Sequence, residues 1–177
     1  MKKYFYCSSF QMFHLACYYY FVEHWDVVII SATENIIKTA EFIKIPFIKH
    51  NYPPKRRFII YYKYVTKEID KLIKIIGNNE LHFSHTSYAI FLFILVGKML
   101  KQGNKPIFYN FEIPYKKTNI FYKFPKTPKK VIGRFILIIQ YILIKIIYNL
   151  PYIEIQHSSQ NYVMIGVNRE YLSLKCK

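Results

Sequence analysis

The sequence predicts an α/β domain: a doubly wound, mainly parallel sheet of about six or seven strands with helices on both faces. Three observations carry this. Short β-branched or aromatic runs alternate along the chain with stretches of helical length. Strands separated by such helices need crossover connections, which make parallel neighbours. The 177 residues are 53% hydrophobic with 5 Gly and 8 Pro, which suits one domain with a real core, spanning residues 1–177, and excludes disordered or collagen-like sequence.

Each element has its own signal. Tyr4–Cys7 is a β-type run ending in Ser8-Ser9, and Phe10 to about His24 reads as a helix. Val27–Ile30 is β-branched; Ser31 ends it, and Thr33 is placed to cap a helix reaching about Ile43. Pro46–His50 makes a third strand. After Pro53-Pro54, a long helix runs to about Ile76, with Val65, Ile69, Leu72, Ile73 and Ile76 on one stripe and Lys63, Lys67, Lys71 and Lys74 opposite. Gly77-Asn78-Asn79 stops it. Leu81–Phe83 is a strand, Thr86 to about Gln102 a helix ended by Gly103-Asn104, and Ile107–Phe111 a strand. Residues 113–130 hold three Pro and six Lys without periodicity, which reads as a basic loop or flap. Val131–Asn149 is an apolar helix, Tyr152–Gln156 a strand, and Tyr162–Val167 a last strand leading to a short helical end from Asn168.

The formal net charge of +16 combines two effects. Of 26 basic residues 22 are Lys, in a chain rich in Ile, Asn, Tyr and Phe, which is the usage an AT-rich genome imposes. The charge is also localised: residues 1–52 carry 5 basic and 4 acidic side chains, whereas residues 98–134 carry 10 basic ones against Glu112 alone. Such an excess attracts anionic lipid, sugar phosphate or nucleic acid. Nucleic acid is the weaker partner, because Arg is scarce and no recognition motif is present. Cys7, Cys17 and Cys176 are scattered, and fit neither a disulfide framework nor a zinc site.

Phe135–Tyr148, the most apolar stretch, is broken by Gln140 and Lys145 and is short of the roughly 20 apolar residues a membrane span needs. Arg134, Lys145 and Asn149 share one side of its helical wheel, so the expectation is a buried or interfacial helix. Beside it Lys123, Lys126, Lys129 and Lys130 are interleaved with Phe121, Tyr122 and Phe124, a composition suited to an anionic membrane surface, where each basic residue adds about 1 kcal/mol. The competing account is codon bias on a solvated loop beside a core helix.

Parallel sheets bind ligands at the carboxyl ends of their strands. Those ends present Cys7-Ser8-Ser9, Ser31, His50, Ser84-His85-Thr86, Asn110 with Glu112, and Gln156-His157-Ser158-Ser159. For Ser9, Ser31 and Thr86, each taken singly, helix capping is the ordinary role at such a position. Glycine-rich nucleotide loops, G-x-S-x-G and H-E-x-x-H are all absent. His82 and His85, three apart on a strand, point to opposite faces, so no metal is expected there, and His85 is better placed as a general base or a hydrogen-bond donor to substrate.

Tyr4-Phe-Tyr-Cys-Ser-Ser-Phe-Gln-Met-Phe-His-Leu resembles the opening of bacterial GT-B glycosyltransferases that build capsule or lipooligosaccharide, of the sialyltransferase and polysialyltransferase types. Glu154-Ile-Gln-His-Ser and Tyr162-Val-Met-Ile-Gly-Val-Asn-Arg-Glu-Tyr-Leu are similar to later segments of the same enzymes, with Ser158 where their turn has Gly. The resemblance implies a Rossmann-like half of a GT-B fold: the acceptor-side domain, split or truncated before the domain that binds the nucleotide sugar, and inactive alone.

It also implies metal-free transfer, with no cofactor beyond the nucleotide-sugar donor. The partners expected are a glycan or lipid-linked acceptor, an anionic membrane, a separate donor-binding chain and no nucleic acid. The location expected is the cytoplasmic face of the cell membrane. Under this reading His85 or Glu112 is the base and His157, Ser158 and Ser159 face the donor. Ser8, Ser9, His14, Ser84 and Thr86 contact substrate, although His14, one turn into an apolar helix, also reads as a core histidine. The alternative is a small basic membrane-associated binding protein without catalytic activity.

Overall fold

The computed structural model describes residues 1–51, 58–84, 90–104, 106–110, 135, 139, 142, 143, 146–149, 153–162 and 167–174. In chain order they form β1 (Lys3–Tyr6), α1 (Phe10–Phe21), β2 (Val27–Ser31), α2 (Glu34–Phe42), β3 (Phe47–Lys49), α3 (Phe58–Ile76), β4 (Glu80–Ser84), α4 (Ile90–Lys101), β5 (Ile107–Asn110), β6 (Ile153–Tyr162) and β7 (Val167–Leu174). The strands make one sheet in the order β3-β2-β1-β4-β5-β7-β6. The first five in this order are all parallel, so the doubly wound α/β reading holds.

Alternation along each strand assigns the side chains to two cores. Tyr4, Tyr6, Val28, Ile30, Leu81, Phe83 and Phe108 face α3 and α4. Phe5, Cys7, Val27, Ile29, Ile107 and Tyr109 face α1 and α2. The α3 stripe expected from the sequence, Val65, Ile69, Leu72, Ile73 and Ile76, is buried throughout, while Lys67, Lys71 and Lys74 are exposed. Gly77 and Gly103 end α3 and α4 at φ +56° and +81°, the left-handed conformation a helix C-terminus uses and a side chain disfavours. Thr33 holds the N-cap position of α2 but makes no side-chain cap bond; its amide donates to Ser31 Oγ at 3.1 Å instead.

The C-terminal part corrects two expectations. The chain from Asn168 is not helical: β7 runs antiparallel between β5 and β6, pairing Phe108 with Glu170 and Gln156 with Tyr171. The open edge of β5 needs backbone partners, and ladder pairing outweighs local helical preference. His157-Ser158-Ser159 is likewise not a turn at a strand end but lies within β6. There the register slips: between the pairs His157–Glu170 and Asn161–Asn168, β6 advances four residues and β7 two, a bulged segment.

Between 135 and 147, every described position is helical. Phe135, Ile139, Ile142, Leu143, Ile146 and Ile147 are exposed, so at these residues the helix is not core. Among the described residues, no helix is long and apolar enough to cross a membrane. The flap at 113–130 lies outside the described residues.

The two-core arrangement predicts sharply different costs for two truncations. Ile69→Ala, at a fully buried position, lowers unfolding free energy by about 2–5 kcal/mol in urea titration. Phe42→Ala, at a side chain 85% exposed, changes it by less than about 0.5 kcal/mol.

Candidate functional site at the strand-order reversal

The strand order reverses between β1 and β4, and this decides where a ligand fits. From β1 the chain works outward through β2 to β3; it then crosses to the other side of β1 for β4 and β5. Helix α1, following β1, covers one face, and α4, following β4, covers the other. In doubly wound sheets such a reversal is where a ligand crevice forms, which here is the carboxyl ends of β1 and β4.

Register fills in the crevice. Tyr6 pairs with Phe83, which brings Cys7 and Ser8 alongside Ser84. Ser84 shares the α1 face with His82, two residues earlier. It is buried, and its Oγ has no hydrogen-bond partner among the described residues. A buried hydroxyl without a partner is costly, and a ligand reaching the crevice would supply one. Ser8 and Ser9 are half-buried. Ser9 caps α1, accepting from the Met12 amide at 3.4 Å, so the positive end of the helix opens on the same crevice. Ser31 donates to the Cys7 carbonyl at 2.6 Å, locking the end of β1 to the end of β2. Its role is structural.

On the opposite face, His50 follows β3 and is buried. Its ring stacks on Phe91 at 4.8 Å and lies 5.4 Å from Tyr6. Burial lowers its pKa, only partly offset by a backbone hydrogen bond at Asn51 and by Glu68, so the imidazole is neutral at pH 7. Sequence reading placed His50 at a strand end but missed Tyr6 beside it. The two strands are separated by β2, and no local signal reports that proximity.

Of the candidate substrate residues, the structure brings Ser8, Ser9 and Ser84 together. His14 is exposed on α1 beside Phe10 and Phe13, which corrects its reading as a core histidine. His85, Thr86, Glu112, Lys123, Lys126, Lys129 and Lys130 lie outside the described residues. His157, Ser158 and Ser159 sit on the far edge strand, three positions beyond β4 or about 14 Å at the usual strand spacing.

Two other groups are occupied by the fold. His82, fully buried, stacks on Phe5 at 4.5 Å because the register pairs them. Its Nε2–H donates to Glu80 Oε2 at 3.1 Å, and its Nδ1 shares a 3.0 Å hydrogen bond with the Tyr109 hydroxyl. Lys3 also bonds Glu80 at 2.9 Å and lies over the Trp25 ring. His82 is therefore a satisfied core histidine, and no cluster of metal-ligating side chains occurs among the described residues. Burial raises both thiols, Cys7 well above its usual value and Cys17 to about 11, so neither is an activated nucleophile.

No family model, curated protein or solved structure matches this chain.

The hydrogen bonds distinguish the serines in a way stability measurements detect. Ser31→Ala leaves the Cys7 carbonyl and Thr33 amide without their partner and costs about 1–3 kcal/mol. Ser84→Ala breaks no hydrogen bond and leaves stability unchanged or slightly higher in the same denaturation assay.

Acid titration tests the Glu80 network. The His82 hydrogen bond, ahead of the Lys3 contacts, holds the Glu80 pKa down to about 2 against its ordinary 4.5. Its contribution is complete above 4.5 and is lost as pH falls toward 2, because the unfolded chain binds the proton first. Stability measured across that window falls less steeply in Glu80→Gln than in the parent chain.

Proposed function

We propose that this α/β unit is the acceptor-side domain of a GT-B-type glycosyltransferase for bacterial surface polysaccharide, the nucleotide sugar being held by a second domain. The observation that carries the reading is the strand-order reversal between β1 and β4, where Ser84, beside the end of β1 and the N-terminus of α1, keeps a buried hydroxyl with no hydrogen-bond partner among the described residues. Saccharide recognition uses such an arrangement, because every hydroxyl of a sugar both donates and accepts. The Tyr4–Leu15 segment that resembles these enzymes folds as the strand, polar turn and helix of this same crevice.

In the reaction, a base takes the proton of one acceptor hydroxyl while its oxygen attacks the anomeric carbon of the donor. The bond from that carbon to the nucleotide phosphate breaks, and the phosphate leaves. His85, the residue after Ser84, is the proposed base, with Glu112 the alternative. Ser8 and Ser84 orient the acceptor. His157, Ser158 and Ser159, on the distant edge strand, are not assigned to this step.

Saturation-transfer NMR with oligosaccharide acceptors and with CMP-sialic acid tests the reading. Acceptor glycans give signals that weaken at least fivefold in the Ser8→Ala/Ser84→Ala variant, while the nucleotide sugar binds more weakly than the glycan and no transfer occurs. Tighter binding of the nucleotide sugar, or no saccharide signal at all, rejects it. The second reading, a basic membrane-associated binding protein without catalysis, draws on the exposed apolar helical positions between 135 and 147.

A further inference from the structure

Phe135, Ile139, Ile142, Leu143, Ile146 and Ile147 are between 41% and 68% exposed. On a helix of 3.6 residues per turn they fall within an arc of about 140°. Tyr148 falls on the opposite side of that wheel, and it ties the segment to the domain. Its hydroxyl shares a 2.7 Å hydrogen bond with Thr66 of α3, its carbonyl accepts from Lys101 of α4 at 2.7 Å, and Lys98 lies 5.7 Å from its ring. At the described positions the segment is thus held at Tyr148, while the exposed apolar side chains share the other side of the wheel.

The charge around this face says what covers it. Lys67, Lys71 and Lys74 are exposed on α3, the helix that holds Tyr148; Lys71 pairs with Glu68 and Asp70 with Lys98 of α4, which leaves Lys67 and Lys74 as basic excess. The sequence immediately before the face, residues 111–134, holds seven basic residues and one acid. A second copy of the chain would bring a further +16 against the same charge, which opposes self-association. An anionic lipid surface satisfies both properties, taking the apolar side chains at the acyl boundary and the lysines against headgroup phosphates. We propose that this face docks the protein on anionic membrane. The inference stands apart from the saccharide reading, since it uses neither the crevice nor its residues.

Co-sedimentation of the full chain with vesicles tests it, using phosphatidylglycerol–phosphatidylcholine mixtures against phosphatidylcholine alone. Binding appears with the anionic vesicles, weakens as salt rises, and falls at least tenfold in Ile142→Glu/Ile146→Glu. Should the glutamates shift the unfolding midpoint, Ile142→Ser/Ile146→Ser gives the same comparison. Ile146→Trp adds a gain of signal: its fluorescence shifts to shorter wavelength with anionic vesicles. Equal binding to neutral vesicles, no binding to either, or unchanged binding by both pairs overturns the proposal. So does a dimer in size-exclusion chromatography that Ile146→Glu converts to monomer, which would assign the face to a second copy.

Discussion

β1 is four residues long, yet it is hydrogen-bonded along both edges, to β2 and to β4, and buried on both faces. Every other part of the domain follows from satisfying that strand. Parallel partners require crossovers, and a strand buried on two sides requires helices on two sides. The chain meets the demand by building outward twice from β1, first to β3 and then to β5. The crevice between β1 and β4 is the geometric residue of that choice. In such sheets a crevice forms at the reversal because connections leaving adjacent strands for opposite faces separate there, whatever side chains happen to line the place.

What the sequence revealed follows the same division. Elements whose face is set by a single core were readable, and α3 is the clearest: Val65, Ile69, Leu72, Ile73 and Ile76 repeat with helical period and are all buried. Elements defined by their partners were not. Asn168–Leu174 has no decisive pattern of its own and becomes β7 because β5 and β6 offer open edges on either side. His157–Ser159 read as a turn because Ser and His favour strand ends, whereas an irregular register absorbs them inside β6. The error was one of pairing, which acts between segments far apart in sequence.

The site shows a similar limit. Ser8, Ser9 and Ser84 were identified from the rule that parallel sheets present ligands at carboxyl ends, and the register brings them to one crevice. The sequence could not rank them. Ser9 is used by α1 and Ser31 by the β1–β2 junction, while Ser84 is the serine whose buried hydroxyl has no hydrogen-bond partner among the described residues. Capping and ligand binding draw on the same short polar side chains, so composition does not separate them; hydrogen-bond inventory does. His82 makes the converse point. Two histidines three apart attract a metal reading, but the carboxylate of Glu80 and the hydroxyl of Tyr109 already occupy both ring nitrogens.

The lysine excess has two origins that position can separate. Mutational bias raises lysine wherever the surface tolerates it, without regard to what lies nearby. Residues 1–52 tolerate it as well as any, with α1 and α2 both carrying exposed positions, yet their charge is nearly balanced. The excess lies instead in the sequence that leads into an apolar helical segment, tied to the domain at Tyr148, whose described side chains are exposed. Bias alone accounts for many lysines but not for this placement, and it does nothing to account for isoleucines kept in water beside them. Six large apolar side chains left outside two well-filled cores oppose the hydrophobic effect unless a second apolar phase covers them. A surface that offers hydrocarbon beneath a layer of phosphate accounts for both features together, which neither codon usage nor core packing does.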